Sequence, residues 1–215
     1  MMENNIRACV FDFDGTLVDT MEGFADLAGE LLEKNYGIPF AEGRRRYLET
    51  SGIPFFQQLE IIRPGGEKNK ECAEEFERRK LEGFFATRPA VDTLEALDKL
   101  RQAGKKVIVS SNNFQSNIEQ FMKRHRVPVD LALGFDSSTG LEKGRPHFEK
   151  VRELFGLESS DLLFCGDSLK DAERALSCGV RFVGLEGTFS REQFLQSFPQ
   201  IDTVRSIREL ADRLV

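Results

Sequence analysis

Apolar runs of strand length alternate along this chain with stretches in which apolar residues recur every three or four positions. Residues 8–13 (ACVFDF) form the first run, and Gly15-Thr16 breaks it at once. Met21, Phe24, Ala28 and Leu31 then mark one face of an amphipathic helix predicted to stop near Gly37. After Pro89 the alternation resumes, with Val91, Leu94, Leu97 and Leu100 on a helix closed by Gly104 and a β-branched strand over 106–110. A helix opening at Pro146 bears Phe148, Val151, Leu154 and Phe155, and a strand follows over 162–165. Ala172, Ala175 and Leu176 predict another helix, ending at Gly179, before a strand over 181–185. A short strand near Thr203 and a helix through Ile207, Leu210 and Leu214 complete the pattern. Apolar strands separated by amphipathic helices predict an α/β fold with a parallel sheet covered on both faces.

The stretch from 38 to 87 differs in character. It carries charge runs (43–46 and 74–80), a Pro64-Gly65-Gly66 turn signal and only patchy helical periodicity. This shift predicts a mostly helical second lobe, residues 20–88, inserted into a core made of 1–19 and 89–215. With 215 residues, 40% of them hydrophobic, the chain can bury one ordinary core plus a modest second lobe, which excludes a disordered tail protein. Its net charge of -6 provides no positive field for a nucleic acid or an acidic membrane surface, so neither is expected as a partner. The Met-Met-Glu-Asn-Asn start has no signal-peptide character, and no apolar run approaches the roughly 20 residues that span a bilayer; a cytoplasmic location is expected. Cys9, Cys72, Cys165 and Cys178 lie far apart without metal-ligand spacing and read as reduced, mostly buried thiols. His125 and His147 read as surface or helix-end residues.

Ligands of open α/β sheets bind outside the carboxyl ends of the strands, and the polar residues that follow the apolar runs are the candidates for chemistry. Asp12-Phe13-Asp14-Gly15-Thr16 closes the first run; two carboxylates two positions apart on extended backbone point the same way and repel unless a cation or a proton intervenes. Ser110-Ser111-Asn112 ends the second strand, where a hydroxyl and a backbone N–H can hold a phosphoryl oxygen; a plain turn or helix cap is the competing reading. Lys143 lies three residues before Pro146, and only its place among strand-end acids lifts it above an ordinary surface lysine. Gly166-Asp167-Ser168-Leu169-Lys170-Asp171 follows the third run, 162–165. Asp167 and Asp171 there can serve as helix caps, or join Asp12 and Asp14 in a hard, oxygen-rich site suited to Mg²⁺.

These residues resemble the haloacid dehalogenase superfamily, in the subgroup of phosphoglycolate phosphatases and β-phosphoglucomutases that carry a helical cap. Asp12 to Thr16 looks like its first motif, Ser111 its second, Lys143 its third and Gly166 to Asp171 its fourth, in order along the whole chain. For the second motif Ser111 with Asn112 fits best, and Ser110 is the alternative. The resemblance implies a Rossmann-like core and a phosphatase in which Asp12 is the nucleophile forming an aspartyl-phosphate and Asp14 the general acid, then base. It also implies Mg²⁺ on the Asp12 side chain, the Asp14 backbone carbonyl and Asp167, with Asp171 orienting a metal-bound water. Ser111, Asn112 and Lys143 would hold the phosphoryl oxygens.

Asp14 argues for a phosphate ester, because a halide leaving group needs no proton. A phosphosugar mutase shares all four motifs and stays open as an alternative, as does a non-catalytic binding module, against which the intact motifs speak. The implied partner is a small phosphorylated metabolite, with the chain a monomer or homodimer. Arg44, Arg45, Arg46, Arg63 and Arg88 are candidates to read an acidic substrate tail, against the plainer reading of a solvated helix face. Phe55 and Phe56 read as packing within the inserted lobe rather than lining a pocket.

Overall fold

A computed structural model of the chain describes residues 5–215; the Met1–Asn4 start, read above as free of a targeting signal, lies outside them. After β1 (Ala8–Phe11) come four helices, α1 (Met21–Tyr36), α2 (Phe40–Glu49), α3 (Phe55–Ile62) and α4 (Asn69–Ala86). Then follow α5 (Val91–Gln102), β2 (Lys106–Phe114), α6 (Gln115–His125), β3 (Leu131–Phe135) and α7 (Arg145–Phe155). The chain ends with β4 (Leu162–Gly166), α8 (Leu169–Ser177), β5 (Arg181–Leu185), α9 (Arg191–Ser197), β6 (Asp202–Val204) and α10 (Ile207–Leu214). The described residues divide into two compact units, one running to Val18 and resuming over Pro89–Val215, the other Asp19–Arg88. No helix among them is long and apolar enough to cross a membrane.

The first unit is built on a six-stranded, all-parallel sheet of order β3-β2-β1-β4-β5-β6. The strand order reverses between β1 and its neighbours β2 and β4, the topological switch point at which such sheets open a crevice at their carboxyl edge. β1 is buried along its whole length, and side chains such as Val10, Ile108, Phe148, Phe164 and Phe182 fill the core. Phe148, Phe164, Phe182 and Phe194 meet in sequence, ring to ring, at centroid distances of 5.4, 5.9 and 6.1 Å.

The second unit is wholly helical. Phe24, Ala28, Leu31, Tyr47, Phe55, Leu59 and Phe76 form its core, with Phe55 and Phe76 rings 4.2 Å apart. Phe55 therefore packs inside the unit, whereas Phe56 is exposed.

Three elements escape the sequence pattern. α6 has only Ile118, Phe121 and Met122 buried and starts directly from β2 without a turn, α9 buries only Phe194, and β3 is five residues interrupted by Gly134. Val91 and Leu154, expected on buried helix faces, are exposed; Val91 is the first residue of its helix, and Leu154 falls off the Phe148–Val151 stripe.

β2 also runs further than 106–110, because it bulges. Ser110 pairs with Leu133 and Phe114 with Phe135, so four steps along β2 match two along β3. Ser111, Asn112 and Asn113 are thereby pushed out of the ladder at the carboxyl edge, a common use of bulges beside functional sites. Gly134 makes room for this. A Cβ there would lie 2.6 Å from the Asn113 carbonyl oxygen and 2.7 Å from Gln115 Cα, both backbone atoms that cannot yield cheaply. Gly134→Ala is expected to cost about 1–3 kcal/mol through overpacking, read as a lowered urea midpoint with an unchanged slope.

Candidate active site

The parallel register of β1 and β4 sets Phe11 opposite Cys165, and the Asp12 amide donates to the Cys165 carbonyl at 2.9 Å. The residues that follow each strand, Asp12 and Asp167, thus leave the sheet side by side. Phe13 turns the chain sharply behind Asp12, its carbonyl accepting from the amides of Thr16, Leu17 and Val18. Asp171 joins from the first turn of α8, whose N-cap is Ser168: its hydroxyl accepts from the Asp171 amide and donates to Asp171 Oδ2 at 2.7 Å. Asp12, Asp167 and Asp171 are all buried, and each offers an oxygen within 4.8 Å of the others.

Lys143 reaches this cluster from the loop before α7. Its Nζ lies 2.7 Å from Asp12 Oδ1 and 2.7 Å from Asp171 Oδ1, and the residue is 6% exposed. Gly144 behind it has φ 113°, a conformation open to glycine and strained for other residues, and so turns the chain from the buried lysine into the helix. Burial pulls the Lys143 amine down, but the Asp12 and Asp171 carboxylates outweigh it and hold the ammonium above its ordinary value. Burial is the main cause that raises Asp12 well above the carboxylate range; Lys143 opposes it, and Asp171 and Asp167 add to it. Asp167 is pushed up to about 6 by burial and then by Asp171, against a hydroxyl hydrogen bond from Thr188. Two of the three clustered carboxylates contact the one buried ammonium, with Arg174 3.8 Å from Asp171 as the next cation. An all-oxygen set short of positive charge fits a hard divalent cation.

The β2 bulge supplies the neighbouring group. Ser111 Oγ accepts from the Asn113 amide at 3.1 Å and from Asn113 Nδ2 at 3.2 Å, and the same Nδ2 donates to Asp14 Oδ2 at 2.6 Å. Asn112 lies half-buried between them. Ser110 is turned the other way, into the protein, where its hydroxyl meets His147 Nδ1 at 2.8 Å. Of the two serines, Ser111 is therefore the one at the edge. The structure gathers Asp12, Asp167, Asp171 and Lys143 into one cluster and ties Asp14 to Ser111 through Asn113.

Four residues of this region were not legible as site residues. Ser168, three before Asp171, carries a recognisable cap spacing, and takes the capping role that Asp167 offered in the sequence. Asn113 and Thr188 follow no pattern. His147 corrects an expectation: it stands at a helix start but is fully buried, not on the surface. Its Nε2 donates to the Gly134 carbonyl at 3.1 Å, which leaves Nδ1 to accept from Ser110. His125 does end its helix. All four cysteines are free, and burial pushes the Cys9 thiol up to about 12, as suits a packing residue.

The model of the haloacid dehalogenase-like hydrolases matches residues 9–185. A pyrophosphatase PpaX from Bacillus velezensis is 23% identical over 205 residues, covering 92% of this chain and 91% of its own length. A phosphoglycolate phosphatase from Synechococcus elongatus is also 23% identical, with 88% of each chain covered. Among solved structures, a haloacid dehalogenase-like family hydrolase from Streptococcus pneumoniae superposes with a TM-score of 0.81 at 16% identity over 99% of this chain and all of its own. CbbY from Rhodobacter sphaeroides, solved in complex with phosphate, gives 0.70 at 18% identity over 95% and 96%; both share the fold. The chain belongs to the haloacid dehalogenase-like hydrolase family and is an enzyme of its phosphatase type, a phosphoric monoester hydrolase.

His147 gives the fold a pH dependence. Burial, the largest cause, pulls its imidazole down to about 4 from an unfolded value of 6.5, so between these values the unfolded chain binds the extra proton. Its contribution is complete above pH 6.5 and is lost as pH falls toward 4, by about 2 kcal/mol at pH 5. Urea unfolding at pH 7.5 and 5 checks this as a difference: the wild type should lose about that much more stability on acidification than His147→Asn, and equal losses would show the ring is not held neutral.

Proposed function

We propose that the enzyme is a Mg²⁺-dependent phosphatase that hydrolyses a small phosphorylated metabolite through an aspartyl-phosphate on Asp12. The observation that carries this reading is the Lys143 ammonium set 2.7 Å from Asp12 within a buried group of carboxylates. A carboxylate there is oriented and desolvated, and a cation stands beside it to receive an incoming phosphate dianion.

An Asp12 carboxylate oxygen attacks phosphorus as the ester P–O bond breaks, and Asp14 gives its proton to the departing oxygen. Water then attacks the phosphorus of the acyl phosphate while Asp14 takes back a proton, and cleavage of the bond to Asp12 frees phosphate and restores the carboxylate. Ser111, Asn112 and Lys143 hold the phosphoryl oxygens. Both acceptor positions of the Ser111 oxygen are filled by Asn113, which leaves its O–H to donate to phosphate. The Asp12 side chain, the Asp14 carbonyl and Asp167, with Asp171 behind them, would hold Mg²⁺, which when bound offsets the repulsion between carboxylate and phosphate dianion.

In this reading residues 1–19 and 89–215 are the catalytic core and 20–88 a cap that selects substrate. The names of the relatives, phosphoglycolate phosphatase and pyrophosphatase, support a small, highly anionic phosphate compound. Of the arginines considered for that selection, Arg44 pairs with Glu22 and Asp26, Arg45 with Glu42 and Glu49, and Arg46 with Glu42, which fits the plainer reading of a solvated helix face. Arg63 lies over the Tyr36 ring.

Phosphate release from a panel of phosphorylated sugars, short acids and nucleotides tests the proposal, with Mg²⁺ or chelator, on wild type and Asp12→Asn. Release should require the metal and fall more than about 1,000-fold in the variant. Near-full, Mg²⁺-dependent turnover by folded Asp12→Asn would overturn the assignment. Mg²⁺ alone should also raise the unfolding temperature of the wild type, and less so that of Asp167→Asn, since a cation that binds only the folded site stabilises it by mass action.

A further inference from the structure

We propose that Asn113 is a positioning residue that sets Asp14 for proton transfer, through one amide shared between the Asp14 carboxylate and the Ser111 hydroxyl. This rests on the reading of Asp14 as general acid and base. The amide nitrogen lies 2.6 Å from Asp14 Oδ2 and 3.2 Å from Ser111 Oγ, so both of its hydrogens are committed, one to each partner. Facing a carboxylate, the amide must present nitrogen rather than oxygen, which fixes its orientation.

Asn113 is itself held rigidly. It is 5% exposed, its backbone N–H is anchored on Ser111 Oγ, and its carbonyl is closed in by Gly134 on β3. A half-buried carboxylate with a rotatable side chain is thus fixed to the strand edge by a donor on the adjoining strand. The donor meets Oδ2 and so fixes the rotation of the carboxylate about its Cα–Cβ and Cβ–Cγ bonds. The same amide fills one acceptor position of Ser111, so the orientation of the phosphate-holding hydroxyl and that of the proton donor are set by a single side chain. A displacement of about 1 Å in such a group costs up to a hundredfold in rate.

A leaving group that needs a proton distinguishes this from a structural role. The value of kcat/KM covers the steps up to phosphoryl transfer to the enzyme, and it is measured with an alkyl phosphate, whose alkoxide must be protonated, and with p-nitrophenyl phosphate, whose phenolate departs unaided. The ratio of the two values does not depend on the fraction of folded enzyme. Asn113→Ala and Asn113→Ser should each lower the ratio of alkyl to p-nitrophenyl by roughly tenfold, from loss of acid assistance. A ratio within about threefold of wild type in both variants overturns the proposal and makes Asn113 a support for Ser111 or the bulge alone. Asp14→Ala is the control: it should lower the ratio further, and an unchanged ratio there would bring down the general-acid reading itself, an outcome distinct from failure at Asn113.

Discussion

The rest of the site depends on the contact of one buried ammonium with two buried carboxylates, Lys143 with Asp12 and Asp171. Removing charges from water costs several kcal/mol per ion, and only close pairing offsets it. Three acids and one lysine leave an uncompensated negative charge in a low-dielectric crevice. That arrangement is poor for stability alone, as the raised values of Asp12 and Asp167 express. It is well suited to a divalent cation and a phosphate group arriving together, each supplying the charge the other lacks.

Much of the surrounding backbone serves to bring these groups into contact. The parallel β1–β4 register sets Asp12 beside Asp167, and the Ser168 cap aims Asp171. Gly144 lets the chain turn at Lys143, and one turn further His147 fastens the start of α7 to β2 and β3 through Ser110 and the Gly134 carbonyl. On the other side of β1 the bulge presents Ser111 and Asn113, and the Asn113 amide joins Asp14 to Ser111. Groups from four separate stretches of sequence, 12–14, 110–113, 143–147 and 167–171, converge because each lies at or just beyond the carboxyl end of a strand and these strands are neighbours in the sheet.

The acids were legible because each directly follows an apolar run with few alternative explanations. Asp12, Asp14 and Asp167 sit where a buried strand meets solvent, and burial of such a run is written in its composition. Lys143 had no such signal of its own; its meaning came from the order of the motifs around it. Asn113 was out of reach because a register shift against β3 decides which of three consecutive polar residues faces inward, and β3 itself was hidden by its brevity and its glycine. His147 was misread for a related reason: its burial depends on two partners, Ser110 and Gly134, that lie 37 and 13 residues away.

Attack by Asp12 followed by attack of water inverts phosphorus twice, whereas a single attack by water inverts it once. A phosphorothioate ester made chiral by two oxygen isotopes and hydrolysed in water carrying the third releases a chiral thiophosphate, and its stereochemical course therefore addresses the central claim without any need for an intermediate to accumulate. Net retention of configuration in the transferred phosphoryl group is the expected result. Net inversion would contradict a covalent intermediate on Asp12 and reduce the carboxylate cluster to a site that binds charge.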